Sequence, residues 1–302
     1  MSENAFMKEP TMRLATVLAC ISGVVLALFI LIRPVVGRIG SPTAPDIGGL
    51  PPGPGPSGST IDTSLDSFTK RPLPGRNGVV SLASVEDLIF AMTNQERQLA
   101  GLSPLIAEGT LRDIASEHST DMIARAFFNN DNPDGRSTAD RIALHHRQFI
   151  GGVGENIASI VNADSSMSDQ EVAQRFMTIW MNSPGHRANI LGSEFTHLGV
   201  GVSRKGNDIL ATQDFADVQI YLDQPVPVEV YRGERLPLTF SSSGPDLYDY
   251  WSSEKGLSVG SVLSIDSLTV NAPPGVYKLR FYFPVAGRHL ISMGPWVEVK
   301  SR

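Results

Sequence analysis

Two stretches of this chain set a proton-handling side chain among residues that favour turns: Gly154-Glu155-Asn156-Ile157-Ala158 and Ser183-Pro184-Gly185-His186-Arg187-Ala188-Asn189-Ile190-Leu191. A third, Glu117-His118-Ser119-Thr120-Asp121-Met122, lies upstream. If the three converge, His118, His186 and Glu155 line one cleft. Two neutral imidazoles and a carboxylate suit zinc, with water completing a tetrahedral site and made more acidic by the metal. A metal-assisted hydrolase would then use Glu155 as base and the histidines as ligands. Without a metal, the same groups form a hydrogen-bonded cluster in a cleft that takes a peptide, glycan or lipid head group. Ser119 and Ser183 make poor nucleophiles on this reading, because no Gly-x-Ser-x-Gly elbow frames either one. Each residue also has a plain structural alternative: His118 as a packed core histidine, Glu155 as a helix cap or the partner of a surface cation. His186 is the better functional candidate of the two histidines, since loops on a rigid scaffold concentrate binding groups.

The elements that must position these residues follow from the apolar spacing. Ser84-Val85-Glu86-Asp87 is a capping-box-like start, and Leu88, Ile89, Met92 and Leu99 continue it as one helical face that Gly101 stops. A second helix is expected from about Thr110 to Phe127, its stripe of Leu111, Ile114, Ala115, Met122 and Ile123 placing His118 on or beside the buried face. Residues 129–135 read as a loop, and a third helix follows it. Gly151-Gly152-Val153-Gly154 predicts a sharp turn and the close approach of a neighbour just before Glu155. Val172, Phe176, Ile179 and Trp180 predict a helix over 169–181, ended by Ser183-Pro184-Gly185, so that His186 emerges at a turn. Residues 198–202 and 209–216 read as two strands joined near Lys205-Gly206-Asn207. Helices followed by strands predict an α+β arrangement of layers on an antiparallel sheet. His145 and His146 fall at a helix end and His197 in a loop, and none receives a role.

At this point the residues carry a resemblance. Asn94-Gln95-Glu96-Arg97 with Gly101-Leu102-Ser103-Pro104-Leu105, His118, Asn132-Pro133-Asp134-Gly135, Gly154 to Ala158, Trp180 to Leu191, Gly199-Val200-Gly201 and Thr212-Gln213-Asp214-Phe215 follow one another as in the CAP superfamily. That family, also called SCP-like, takes its name from cysteine-rich secretory proteins, antigen 5 and pathogenesis-related 1 proteins, and the resemblance covers about residues 84–217. It implies an α-β-α sandwich with a central cleft in which His118, Glu155 and His186 correspond to the family's cleft histidines and first glutamate, with Asn156 and Ser183 as further cleft positions. Two departures stand out. The family's second cleft glutamate falls near Ser183, and the histidine that many bacterial-type members carry in the next loop is Asn130 here. Both remove candidate ligands, so binding is favoured over catalysis, and His118 and His186 are left as the candidates for zinc or another divalent cation.

Composition sets the remaining bounds. The chain has 302 residues, 41% of them apolar and 19% charged, enough for two compact domains. A net charge of -6 without clustered Lys or Arg argues against a nucleic-acid partner. The single cysteine, Cys20, excludes an intrachain disulfide. Leu14 to Ile32 is an uncharged apolar run bracketed by Arg13 and Arg33, expected as a transmembrane helix. It ends in Phe29-Ile30-Leu31-Ile32, where a cleaved signal would end in small residues, so a signal anchor is expected. Cys20 is no lipobox cysteine, since most of the apolar run follows it. Lys8 and Arg13 balance Arg33 and Arg38 on the other flank. The short leading tail and large following body therefore decide the orientation, with the body outside the cytoplasm at the cell envelope.

The predicted organisation is a tail at 1–13, a membrane helix at 14–32 and a Pro/Gly-rich linker at 33–80. A CAP-like domain over 81–218 and an all-β accessory domain over 219–302 follow. In the accessory domain, Val226 to Val230, Leu236 to Phe240, Gly275 to Phe283 and Trp296 to Val299 read as short strands of a small β-sandwich, of which the immunoglobulin-like form is one option.

Overall fold

The computed structural model describes residues 78–252 and 255–302. The expected membrane helix at 14–32, the tail before it and nearly all of the linker lie outside them. Among the described residues no helix is long and apolar enough to cross a membrane.

The helices form where the apolar spacing places them. After the short strand β1 (Val80–Ser81), α1 (Ala83–Leu99) buries Val85, Glu86, Ile89, Thr93 and Arg97, one side of the helix at three- and four-residue steps. A second short strand, β2 (Ile106–Ala107), leads to α2 (Gly109–Arg125). That helix starts where the Glu108 carboxylate accepts from Leu111 N, and it ends at Ala126, which takes a left-handed φ of 53°. Reciprocal capping boxes open the next two: Ser137 with Asp140 for α3 (Thr138–His145), and Ser168 with Glu171 for α4 (Asp169–Asn182). The turn expected at Ser183-Pro184-Gly185 does end α4, but Pro184 also starts a further helix, α5 (Pro184–Ile190). Proline suits that first position because its missing N–H has no partner to lose there.

The strands build one sheet. The longest run in order are β3 (Phe149–Ile160), β4 (His197–Lys205) and β5 (Asp208–Tyr221), then β6 (Glu229–Tyr231), β7 (Leu247–Ser252), β8 (Leu257–Ser264), β9 (Gly275–Val285) and β10 (Arg288–Lys300). Among the described residues the sheet order is β1-β4-β5-β3-β10-β9-β7-β8, with β2 on β4 and β6 on β10. The β4–β5 hairpin turns at Gly206, whose φ of 60° suits a glycine. Two layers of helix enclose the first half. Ala158, Ile160, Ile209, Ala211 and Phe215 join a core with α1 and α4, while Ile157 and Leu210, one residue along each strand, meet Met122 of α2.

Two expectations are corrected here. Glu155 does not follow a turn: Gly151 to Gly154 lie within β3, with a bulge between Ile150 and Gly151. The close approach also expected of these glycines is present. A Cβ on Gly154 would meet the Phe195 ring at 2.7 Å, and one on Gly151 would collide with Asp217 O. The predicted separate β-sandwich is not what the described residues form, since β6 to β10 continue the same sheet through the pair Met293–Gly151. The layer over that half is irregular chain. It contributes Leu236, Leu238, Leu268, Val270 and Ala272 to a core with Tyr248, Tyr250, Leu279 and Phe281, and Leu236 to Phe240, expected as a strand, is not one. Ile150 and Ile220 enter this same core from β3 and β5.

The α2 layer sits close to the sheet. A Cβ on Gly201 would overlap the backbone of Ala115 and Ser116, so Gly201→Ala must push α2 off β4. The expected loss is about 2–3 kcal/mol in urea-unfolding free energy, whereas Gly206→Ala, in open space, should cost no more than its strained φ.

Candidate functional site

Glu155 and Asp214 are direct cross-strand partners of β3 and β5, so their side chains leave the sheet on one face, the face covered by α2. Both are buried. Ser119 seats the helix there: its hydroxyl donates to Gly201 O at 2.9 Å and lies 2.8 Å from Thr212 Oγ1. The preceding residue, His118, then points its Nε2 to within 3.9 Å of Glu155 Oε1 and 3.0 Å of Asn129 O. A carbonyl only accepts, so the imidazole proton sits on Nε2 and is spent on Asn129, leaving Nδ1 bare and without a partner among the described residues. Arg141 of α3 closes the group. Its guanidinium pairs with Glu155 Oε2 and also donates to Asn130 O at 2.7 Å and Arg136 O at 3.2 Å. The loop over 126–137 is thus fastened across the cluster by its own carbonyls.

The charges follow from this packing. Burial lowers the His118 pKa to about 4, with Glu155 opposing and Arg141 assisting, so the ring is neutral at pH 7. Burial works against the Glu155 carboxylate, but Arg141 and then His118 outweigh it and hold its pKa below the ordinary range. Asp214 goes the other way: burial first, and then the Glu155 charge, raise it well above a normal aspartate.

His186 does not join it. Asn156, next to Glu155 on the strand, points to the opposite face, and its Nδ2 donates to His186 O at 3.0 Å. Burial alone lowers the His186 pKa, with no contribution from Glu155 or His118. The Asn156 amide is fully used, since it also donates to Gln213 Oε1 at 3.1 Å and accepts from Asn189 Nδ2 at 2.8 Å. It fastens α5 to the sheet and has no group left for a ligand. Ser183 is half-buried between α4 and α5, and its hydroxyl caps neither helix.

These residues do not fit zinc. His118 and His186 stand on different layers, and the Glu155 carboxylate already holds a guanidinium whose charge opposes a dication. Among the described residues no group of three or more His, Cys, Asp or Glu is placed to hold a metal.

Two members of the cluster carry no signal of their own in the sequence. Arg141 reads as an ordinary helical arginine, and Asp214 stands within Thr212-Gln213-Asp214-Phe215, where only its register opposite Glu155 reveals it. His146, given no role as a helix-end residue, is buried, stacked on Tyr221 with ring centroids 5.6 Å apart and 3.5 Å from Glu108.

Comparison with known proteins places this region. The profile described as Cysteine-rich secretory protein family (CAP) matches residues 90–215. The Uncharacterized protein YkwD of Bacillus subtilis (strain 168) is 35% identical over 135 residues, which are 45% of this chain and 48% of that protein. The Uncharacterized membrane protein YlbC of the same organism is 35% identical over 121 residues, 40% of this chain and 32% of that protein. The matches thus span about half or less of these relatives' own length. Among solved structures, an extracellular protein containing a SCP domain from Bacillus anthracis str. Ames is 32% identical, with a TM-score of 0.37, over 44% of this chain and 40% of that one.

Proposed function

We propose, for a chain whose residues 90–215 make it a member of the CAP superfamily, that it is a membrane-anchored binding protein displayed outside the cytoplasm at the cell envelope. The ligand class is an envelope peptide, glycan or lipid head group. One observation carries the reading: the bare, buried Nδ1 of His118 beside the Glu155–Arg141 pair, under a loop held down by hydrogen bonds to backbone carbonyls. Polar atoms left without partners in a buried site are costly, and a ligand that supplies a donor to Nδ1 repays that cost. The sites of contact are His118 and Glu155, reached when the 126–137 loop lifts. Asn156 and Ser183 support α5 on the opposite face of the sheet. The uncharged run at 14–32 supports the anchor, and a relative named as a membrane protein agrees with it. The β7–β10 half offers a second contact surface.

A metal-dependent hydrolase is the competing reading, and one experiment separates the two. The full chain, purified in detergent, is titrated with peptidoglycan fragments and with anionic lipid vesicles while its metal content is measured. Saturable binding of one of these, weakened at least tenfold in His118→Ala, is the expected result. Binding that is unchanged in His118→Ala ends the cleft reading. Stoichiometric zinc lost in both His118→Ala and His186→Ala would replace it with the hydrolase.

A further inference from the structure

The buried cluster contains a hydrogen-bonding problem that none of its basic groups solves. Glu155 Oε1 and both carboxyl oxygens of Asp214 are buried, and among the described residues no basic group donates to them. His118 cannot serve, because its Nε2 hydrogen is directed to Asn129 O at 3.0 Å and Glu155 Oε1 is 3.9 Å away. Arg141 does not serve either: its two terminal nitrogens are engaged on Oε2, Thr138 and the loop carbonyls, and its Nε, itself without a partner among the described residues, does not reach Oε1. Yet the two carboxyl groups are neighbours across β3 and β5, on one face and fully enclosed. Two adjacent carboxylates there would set two negative charges against one guanidinium. A single proton between them satisfies an oxygen on each residue and removes the excess charge together.

We propose that Asp214 is a positioning residue: it stays protonated through neutral pH, donates to Glu155 Oε1, and leaves Oε2 on Arg141 as the charged edge of the site. The proton belongs on Asp214 because Arg141 holds Glu155 ionised. The groups around Asp214 agree with this. β3 contributes Glu155, α3 contributes Arg141, and α2 contributes the neutral His118 with Arg125 further along the helix, while the β4 residue opposite Asp214 is the uncharged Gly199. Oriented in this way, Glu155 presents a fixed direction to whatever enters beneath the loop. In that respect alone the inference rests on the binding reading above.

The sign of the pH effect follows from where the proton sits. The folded-state pKa of Asp214 is raised above its unfolded value near 3.8, so the residue supports folding fully below that value and loses its support as pH rises toward the folded pKa. Asparagine has the shape of the protonated acid and keeps a donor toward Oε1. Leucine does not.

The test uses the full chain in detergent. At pH 7 the infrared spectrum should show a protonated-carboxylic-acid carbonyl band that Asp214→Asn removes. The folding equilibrium constant of Asp214→Asn should gain on the wild type by about tenfold per pH unit as pH rises above about 4. Asp214→Leu should be less stable than Asp214→Asn at every pH, which makes the asparagine variant a rescue. The inference is overturned if the band is missing or survives in Asp214→Asn. It is equally overturned if Asp214→Asn folds less well than the wild type at pH 7. Failure of ligand binding in the wild type would leave the band in place, so the two readings fail separately.

Discussion

Replacing Arg97 with methionine is expected to lower the unfolding free energy by about 3–5 kcal/mol, read as a fall in the urea midpoint at constant m-value. Arg97 is 1% exposed and has no carboxylate in hydrogen-bond contact among the described residues. Its guanidinium instead donates to four backbone carbonyls: Ser103 O at 2.9 Å, Ile190 O at 2.9 Å, Gly192 O at 2.7 Å and Phe195 O at 3.3 Å. These include the end of α5, where helical carbonyls have no partner of their own. They also include the segment that delivers Phe195 onto Phe215 and onto Gly154 of β3. Methionine fills the volume and strands the carbonyls. Arg97→Lys should recover only part of the loss, because an ammonium cannot reach carbonyls arranged around a planar fork. A loss below about 1 kcal/mol in Arg97→Met would mean that water replaces the clamp at little cost.

Arg141→Leu should cost a similar amount, about 3–5 kcal/mol at pH 7, by leaving the Glu155 carboxylate buried and unpaired. Its pH dependence is the distinctive part. In the wild type the folded pKa of Glu155 lies below its unfolded value, so the carboxylate stabilises the fold above the unfolded pKa and loses that contribution as pH falls. Without Arg141, burial dominates and raises the pKa, so the sign reverses and the variant recovers stability as pH falls toward 4. The double variant Arg141→Leu with Glu155→Leu should recover most of the loss at every pH, because an apolar pair replaces a buried ion pair at little net cost. Equal pH profiles for wild type and Arg141→Leu would show that Glu155 does not depend on this arginine.

Much of the helical layer is legible in the sequence, because burial at three- and four-residue steps and side-chain caps are local. The Ser168-to-Glu171 box fixes the start of α4, and the β4–β5 hairpin is written in its alternation and in Gly206. The site is legible in part. Glu155 and His118 do meet, as the resemblance implied. Their other partners come from pairing: Asp214 reaches Glu155 only through the β3–β5 register, and Arg141 only through the way α3 lies on the sheet. The period of two along a strand also undoes an inference drawn from adjacency, since Glu155 and Asn156 point to opposite layers and take His118 and His186 apart. Glycines near Glu155 suggested both a turn and a close neighbour, because glycine permits either; in the sheet only the second holds. β7 and β8 carry no clear alternation, as Tyr248 and Tyr250 are buried on one face and Asp249, between them, is buried on the other beneath Arg280.

The change of composition near Tyr221 looks like a boundary between independent parts, but the hydrophobic contacts run across it. Ile150 and Ile220, carried on strands of the first half, fill the core of the second, and Arg147 at the end of α3 donates to Val226 O and Trp296 O. Severing the chain there would bare apolar surface on both sides of the cut and unseat the helix that bears Arg141. The two halves should therefore melt as one cooperative unit, one larger than the stretch 90–215 that matches the family profile.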